Sequence, residues 1–235
     1  MRHVGIIVAA GKGTRFGGDL PKQFIEVGGH PLLFYSLKVM QESFLDEIIV
    51  VTGEEWVEYV KRELVERFSF SKVSRVIKGG KERSDSVYAG LCLLEDPAGC
   101  FVYIHDATRP MLSADILDRV RKGVTEYRAV IAAVPSKDTV KIVKDGVVVD
   151  TPDRSTVQIV QTPQAFAADE LIAAYDRMFA SGTLSLTDDA GVMEKFGKAK
   201  VRTVLGDYTN IKVTTAEDLK LAEQYLNNSK DVKVQ

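Results

Sequence analysis

Cysteine is nearly absent from this chain, with only Cys92 and Cys100 among 235 residues. Two thiols cannot build a disulfide framework, and the composition points to a reducing compartment. Histidine is equally sparse: His3, His30 and His105 show no Cys/His spacing of the kind a zinc site requires. Neither sign of charge dominates. The 31 Lys+Arg against 33 Asp+Glu leave a formal charge of −2, so there is no global basic field with which to coat a nucleic acid. Long hydrophobic runs are missing as well. The longest, such as residues 6–10 and 129–134, fall far below the roughly 18 residues of a membrane helix. The opening Met1-Arg2-His3-Val4 has no signal-peptide anatomy. What is present, 45% apolar and 27% charged residues, is enough to bury a core. These features together predict a soluble, cytoplasmic globular protein.

Short apolar runs alternate with longer helical patterns. Segments 4–10, 47–51, 73–77, 101–105 and 129–134 are rich in Val and Ile and bounded by turn residues, as buried strands are. Between them the period changes to that of a helix. Trp56, Val60, Leu64 and Phe68 recur every four residues, and 115–127 repeats the pattern behind Ser113 as a plausible N-cap. Such alternation predicts an α/β fold: a Rossmann-like, mostly parallel sheet with helices on both faces. Ligands of such sheets sit beyond the carboxyl ends of the strands. One segment interrupts the pattern. Residues 140–149 are two β-rich stretches around Asp145-Gly146, a hairpin signal. Val147-Val148-Val149 is apolar on both faces, so the arm at about 136–160 packs either on its own domain or around a second subunit. Further elements are expected at 157–160 and 200–204 as strands, and at 168–179, 188–196 and 216–226 as helices. No repeat or linker divides the chain, and 1–235 is expected to be one domain with a projecting arm. Cys92 reads as a core residue of the helix after the loop at 78–86.

Three loops carry residues suited to chemistry. The first, Ala9-Ala10-Gly11-Lys12-Gly13-Thr14-Arg15-Phe16-Gly17-Gly18, follows the first strand. Its glycines let backbone N–H groups approach phosphate oxygens. It fails the dinucleotide fingerprint, because Phe16 stands at the third glycine and no acidic residue lies about 20 positions on. It fails the Walker A pattern too, since Asp19-Leu20 follows Gly18. Arg15, Lys22 and nearby Lys12 could still neutralise a triphosphate, with an ordinary surface loop of solvated charges as the lesser alternative. The second loop, Lys78-Gly79-Gly80-Lys81-Glu82-Arg83-Ser84-Asp85-Ser86, opens a helix. It suits an anionic ligand or simple capping by Ser84 or Asp85. The third is His105-Asp106-Ala107-Thr108-Arg109-Pro110. Asp106 at a strand end suits Mg²⁺, which commonly binds through one or two carboxylates and substrate phosphates, or it pairs with Arg109. His105 reads as a hydrogen-bonded scaffold histidine.

With these loops in hand, the sequence resembles the cytidylyltransferases of the methylerythritol phosphate pathway of isoprenoid synthesis, over roughly residues 4–226. The Gly11–Arg15 and Pro21-Lys22 elements are shared by many sugar nucleotidyltransferases. More specific are Gly79-Gly80-x-Glu82-Arg83-x-x-Ser86-Val87, His105-Asp106-Ala107-x-Arg109-Pro110 and Lys137-Asp138-Thr139. Gln161-Thr162-Pro163-Gln164, Thr187-Asp188-Asp189-Ala190 and Asn210-Ile211-Lys212-Val213-Thr214 follow in the same order. The resemblance implies transfer of a cytidylyl group from CTP to 2-C-methyl-D-erythritol 4-phosphate, with Mg²⁺ and release of pyrophosphate. It implies that Ala9, Ala10, Gly11, Gly13, Gly80, Arg83 and Ser86 line the cytidine pocket, and that Arg15, Lys22 and Lys212 hold the triphosphate. Asp106 would meet the metal and substrate, with Arg109 beside it. Thr162 and Thr187 would contact substrate hydroxyls. Thr139 and Arg154, on or beside the arm, would grip the substrate phosphate of the neighbouring subunit in a homodimer. Lys81 and Thr108 depart from the family pattern, where an acidic and a small residue are usual. The alternative is the sibling ribitol 5-phosphate cytidylyltransferase of teichoic acid synthesis. Thr187-Asp188-Asp189-Ala190 and Lys137-Asp138-Thr139 favour methylerythritol phosphate.

Overall fold

Residues 1–11 and 20–228 are described by a computed structural model. The chain enters through β1 (Arg2–Ala9), whose inner residues Val4, Ile6 and Ile7 are fully buried. A 3-10 turn at Lys22–Phe24 leads to the small ribbon β2 (Glu26–Val27) and β3 (His30–Pro31), and then to α1 (Leu32–Gln41). β4 (Glu47–Thr52) follows. The helix expected at 54–68 is wound unevenly: a 3-10 turn (Glu54–Trp56), one short turn α2 (Val57–Tyr59) and a π-wound stretch (Val60–Glu66). Next come β5 (Val73–Lys78), α3 (Arg83–Leu91), β6 (Cys100–Asp106) and α4 (Ala114–Tyr127). Ser113 caps α4, its hydroxyl accepting from the Ile116 N–H at 3.3 Å. β7 (Ala129–Pro135) precedes the hairpin β8 (Ile142–Lys144) and β9 (Val147–Asp150). The chain closes with β10 (Gln158–Ala167), α5 (Ala168–Ala180), α6 (Asp189–Phe196), β11 (Arg202–Leu205) and α7 (Ala216–Asn228).

Seven strands form the central sheet in the order β11-β7-β10-β6-β1-β4-β5. All neighbours run parallel except β10, which is antiparallel to both β6 and β7. Two apolar cores flank the sheet. One gathers Phe24, Leu33, Leu37, Leu64 and Val120, and the other gathers Val87, Leu91, Phe166, Tyr175 and Met193. Each such side chain, fully buried, contributes about 1.5–3 kcal/mol relative to exposure. Among the described residues no helix is long and apolar enough to cross a membrane.

Three expectations need amending. The strand expected at 157–160 runs on to Ala167 as the reversed central strand, bulging between Val160 and Gln164. The run at 73–77, expected as a buried strand, is the edge strand β5, with Ser74 and Arg75 exposed and none of its residues fully buried. Cys92 is exposed, not core: it ends α3 on the solvent side, while Leu91 takes the inward face, and Cys100 is the buried thiol.

Register decides what meets at the carboxyl edge. Val8 in β1 lies opposite Asp106 at the end of β6, and Ala9 opposite Thr52 at the end of β4. The loop after β5 folds back on the same edge, its Gly79 N–H donating to the Thr52 carbonyl at 2.8 Å. A Cβ at Gly79 would lie 2.7 Å from that of Ala10, so only glycine lets the two loops touch. The reversed β10 delivers its bulge, Gln161 and Thr162, to that edge as well.

Candidate active site

Two cavities open at this edge and share a wall. The first, about 200 Å³, is lined by Ala9, Ala10 and Gly11 after β1, by Lys22 and Gln23, by Gly80, Arg83 and Ser86, and by Asp106, Thr108 and Lys212. The second, about 310 Å³, is lined by Arg109, Val160, Gln161, Thr162, Gln164, Thr187 and Asp188. Arg83, Asp106 and Lys212 line both.

The shared wall is an ion cluster. The Arg83 Nε donates to Asp106 Oδ1 at 3.2 Å, and Lys212 Nζ reaches Asp106 Oδ2 at 2.8 Å. Arg83 Nη2 is also paired at 2.8 Å with Asp189, which has no exposure to solvent. Burial alone would raise the Asp106 carboxyl; the adjacent charges of Arg83 and Lys212 outweigh it and hold that carboxyl well below the usual carboxylate range. Burial likewise opposes the charge on Arg83, and Asp189 and Asp106 reverse that effect, keeping the guanidinium firmly protonated.

Each loop is fastened from behind. Gln23 is buried, and its amide donates to the carbonyls of Ala9 and, at 3.3 Å, Gly11. The second loop is tied by Ser86, whose Oγ accepts from the Gly80 N–H and donates to the Glu82 carbonyl, both at 3.2 Å. Asp85 accepts from the Glu82 N–H at 3.0 Å, so the capping reading and the cavity-lining reading hold at once. His105 is fully buried. Its Nδ1 lies 2.9 Å from Thr162 Oγ1, and its Nε2 lies 3.2 Å from both Ser36 Oγ and the Arg109 carbonyl. Burial drives this imidazole down to about 4, so it is neutral scaffold at physiological pH. Arg109 does not pair with Asp106. Its Nη1 donates to the Asn210 carbonyl at 2.8 Å and its Nη2 to that of Val160 at 3.4 Å, while its buried Nε has no acceptor among the described residues.

The carboxyl edge thus brings together Ala9, Ala10, Gly11, Lys22, Gly80, Arg83, Ser86, Asp106, Arg109, Thr162, Thr187 and Lys212. Gly13 and Arg15 lie outside the described residues. Thr139 and Arg154 line neither cavity. Both are exposed at the base of the arm, where Arg154 Nη1 donates to the Lys137 carbonyl at 3.4 Å. Gln23, Gln164 and Asp188 are additional lining residues. For Gln23 a signal existed: an amide between Lys22 and Phe24, in a segment with apolar neighbours, is a polar group that needs a buried partner.

Comparison with known proteins places this geometry. The family model for 2-C-methyl-D-erythritol 4-phosphate cytidylyltransferase matches residues 3–228. The chain belongs to this family. The cytidylyltransferase of Lachnospira eligens is 41% identical over 227 residues, covering 95% of this chain and 99% of its own. That of Geobacter metallireducens is 42% identical over 224 residues, covering 94% and 96%. The crystal structure of 4-diphosphocytidyl-2C-methyl-D-erythritol synthase from Anaerococcus prevotii superposes with a TM-score of 0.83 at 35% identity, covering 96% of this chain and 98% of that one. The cytidylyltransferase family is one of nucleotidyl-transferring enzymes, and the matched names favour methylerythritol phosphate over ribitol phosphate.

Proposed function

We propose that the two cavities are the CTP and polyol-phosphate halves of one site, which transfers the cytidylyl group of CTP to 2-C-methyl-D-erythritol 4-phosphate. The products would be 4-diphosphocytidyl-2-C-methyl-D-erythritol and pyrophosphate. The observation that carries this reading is the shared wall of Arg83, Asp106 and Lys212 between two adjoining cavities. A phosphomonoester with its second pKa near ~6 is already ionised at neutral pH, so the nucleophile needs no general base. What it needs is approach to another polyanion, and that calls for positioning and neutralisation of charge. The glycine-lined backbone at Ala9, Ala10, Gly11 and Gly80, with Arg83 and Ser86, receives the cytidine. Lys22 and Lys212 face the phosphates, and Gly13 and Arg15 belong to the same loop in sequence. Arg109, Thr162 and Thr187 face the polyol phosphate, whose oxygen attacks the α-phosphorus in line as pyrophosphate leaves.

The donor set fits Mg²⁺. No group of three or more His, Cys, Asp or Glu among the described residues could hold an ion alone. Asp106, kept ionised at the shared wall, supplies the single carboxylate that such an ion takes alongside substrate phosphates. When bound, the ion would neutralise and orient the triphosphate.

The chain reads as one domain with a dimerisation arm at about 136–160. Ile142, Val143, Val147, Val148 and Val149 are all roughly half exposed or more, a density of apolar surface that favours a covering partner. In a homodimer the arm would carry Thr139 and Arg154 toward the partner's substrate cavity.

Pyrophosphate release with CTP, Mg²⁺ and a panel of polyol phosphates tests the reading. Turnover with 2-C-methyl-D-erythritol 4-phosphate supports it. Turnover only with ribitol 5-phosphate, or none with any polyol phosphate, overturns it.

A further inference from the structure

Two buried polar side chains are left unused by the chemistry above, although they touch its central cation. Asp189 and Tyr175 are both fully buried and line neither cavity. The Tyr175 hydroxyl donates to Asp189 Oδ1 at 2.6 Å, and Asp189 Oδ2 lies 2.8 Å from Arg83 Nη2. Tyr175 stands in α5, Asp189 opens α6 and Arg83 opens α3. Three helices from one face of the sheet therefore converge on one guanidinium. A carboxylate removed from water is costly unless paired and hydrogen-bonded, and a core needing only shape would use an apolar residue there. Arg83 has its Nε on Asp106 and its Nη2 ion-paired with Asp189, and contacts at two nitrogens of the planar fork fix its orientation where one would leave it a rotation.

We propose that Asp189, oriented by Tyr175, is a positioning residue that locks the Arg83 guanidinium at the wall between the cavities and thereby sets the affinity for the nucleotide. It acts through Arg83 and touches no substrate. The same helix start that holds Arg83 also carries Ser84, whose hydroxyl lies 3.3 Å from that of Ser185. The nucleotide-side helix is thus tied to the loop bearing Thr187 and Asp188, so orientation on one side is maintained from the other.

The inference rests on the reading of Arg83 as a CTP-binding residue, and the experiment separates the two. Binding of CTP with Mg²⁺ is measured by calorimetry for wild type, Arg83→Ala, Asp189→Asn and Tyr175→Phe, alongside steady-state kinetics. Asp189→Asn should raise the CTP Kd about tenfold, the order found when an outer partner of a liganding group is removed. At saturating CTP its kcat should fall by less than about threefold, a split that marks lost binding. Tyr175→Phe, which removes one hydroxyl and is the milder change, should raise Kd about threefold. In the Arg83→Ala background, Asp189→Asn should add less than about twofold, because its effect is transmitted through the missing guanidinium. Should Asp189→Asn fail to fold, Tyr175→Phe decides. A merely structural role would lower kcat by reducing the active fraction and leave Kd where it was; that result overturns the inference. Wild-type CTP affinity in Arg83→Ala would instead overturn the reading of Arg83 itself.

Discussion

The carboxyl edge of the sheet and the hairpin arm distribute polar and apolar groups in opposite ways. At the edge, Asp106, His105, Thr162 and Asp189 are buried and hydrogen-bonded or ion-paired, Asp106 and Asp189 through the one guanidinium of Arg83. On the arm, Ile142, Val143 and Val147 to Val149 face solvent on both sides of a two-stranded ribbon. A fold selected for stability alone would do neither. Buried charge is retained where an anion must be received, because a preorganised cluster needs little rearrangement when substrate arrives. Clustered exposed valines are the kind of apolar surface that marks an interaction site, which is the proposed role of the arm.

Breaking the polar region should have the largest effect. Lys22→Ala should lower kcat by on the order of 10²–10³, as removal of a preorganised electrostatic donor does, with the fold retained by circular dichroism. A folded variant with wild-type kcat would remove Lys22 from the triphosphate clamp.

The buried histidine gives that region a pH signature. His105 takes its proton near 6.5 when unfolded and only near about 4 when folded. Its contribution is therefore fully present above pH 6.5, declines as the pH falls toward 4, and then levels off. The loss amounts to about 3 kcal/mol at 1.36 kcal/mol per unit. Asp106, held low by Arg83 and Lys212 against the effect of burial, adds a further loss that begins as the pH falls through the ordinary carboxylate range and continues below it. Urea unfolding at a series of pH values measures both, and His105→Gln should flatten the limb between 6.5 and 4 while leaving the more acidic one.

Breaking the apolar region should act through association. Val148→Asp places a charge where a partner surface would lie, and should raise the dimer Kd by about tenfold or more with little change in Tm. Sedimentation over a dilution series reads this directly, and an unaltered association constant would detach the arm from dimerisation. The subtlest effect joins the two regions. Mixing inactive Arg154→Ala with inactive Lys22→Ala chains should restore about a quarter of the sites under random pairing in a two-fold dimer. No recovery, despite demonstrated subunit exchange, would place Arg154 outside its neighbour's site.

Much of this is legible in the sequence. The Val- and Ile-rich runs marked five of the seven sheet strands; four are largely buried apolar segments, and the fifth, β5, is an edge strand that keeps Ser74 and Arg75 exposed. The three chemical loops were legible because they combine glycine with charged residues at predicted strand ends, where ligands of such sheets sit. Other features were hidden for physical reasons. Helix α1 is buried almost all round, so its sequence has no alternation to detect. β10 runs through Gln161-Thr162-Pro163-Gln164, a polar segment that looks like the end of a strand and is the bulge in the middle of one. Asp106 had Arg109 as its obvious neighbour in sequence, yet tertiary packing gave it Arg83 and Lys212. Asp189 stood within a matched motif, but its function depends on Arg83 and Tyr175 meeting it across three helices.

The central claim, that both cavities serve one reaction about a common wall, is tested most directly by Asp106→Asn. Steady-state pyrophosphate release should be measured with CTP and 2-C-methyl-D-erythritol 4-phosphate varied in turn. A shared site predicts a kcat loss on the order of 10² or more, with both KM values displaced, because this carboxylate borders both ligands. A folded Asp106→Asn enzyme with wild-type kcat and both KM values intact would contradict it.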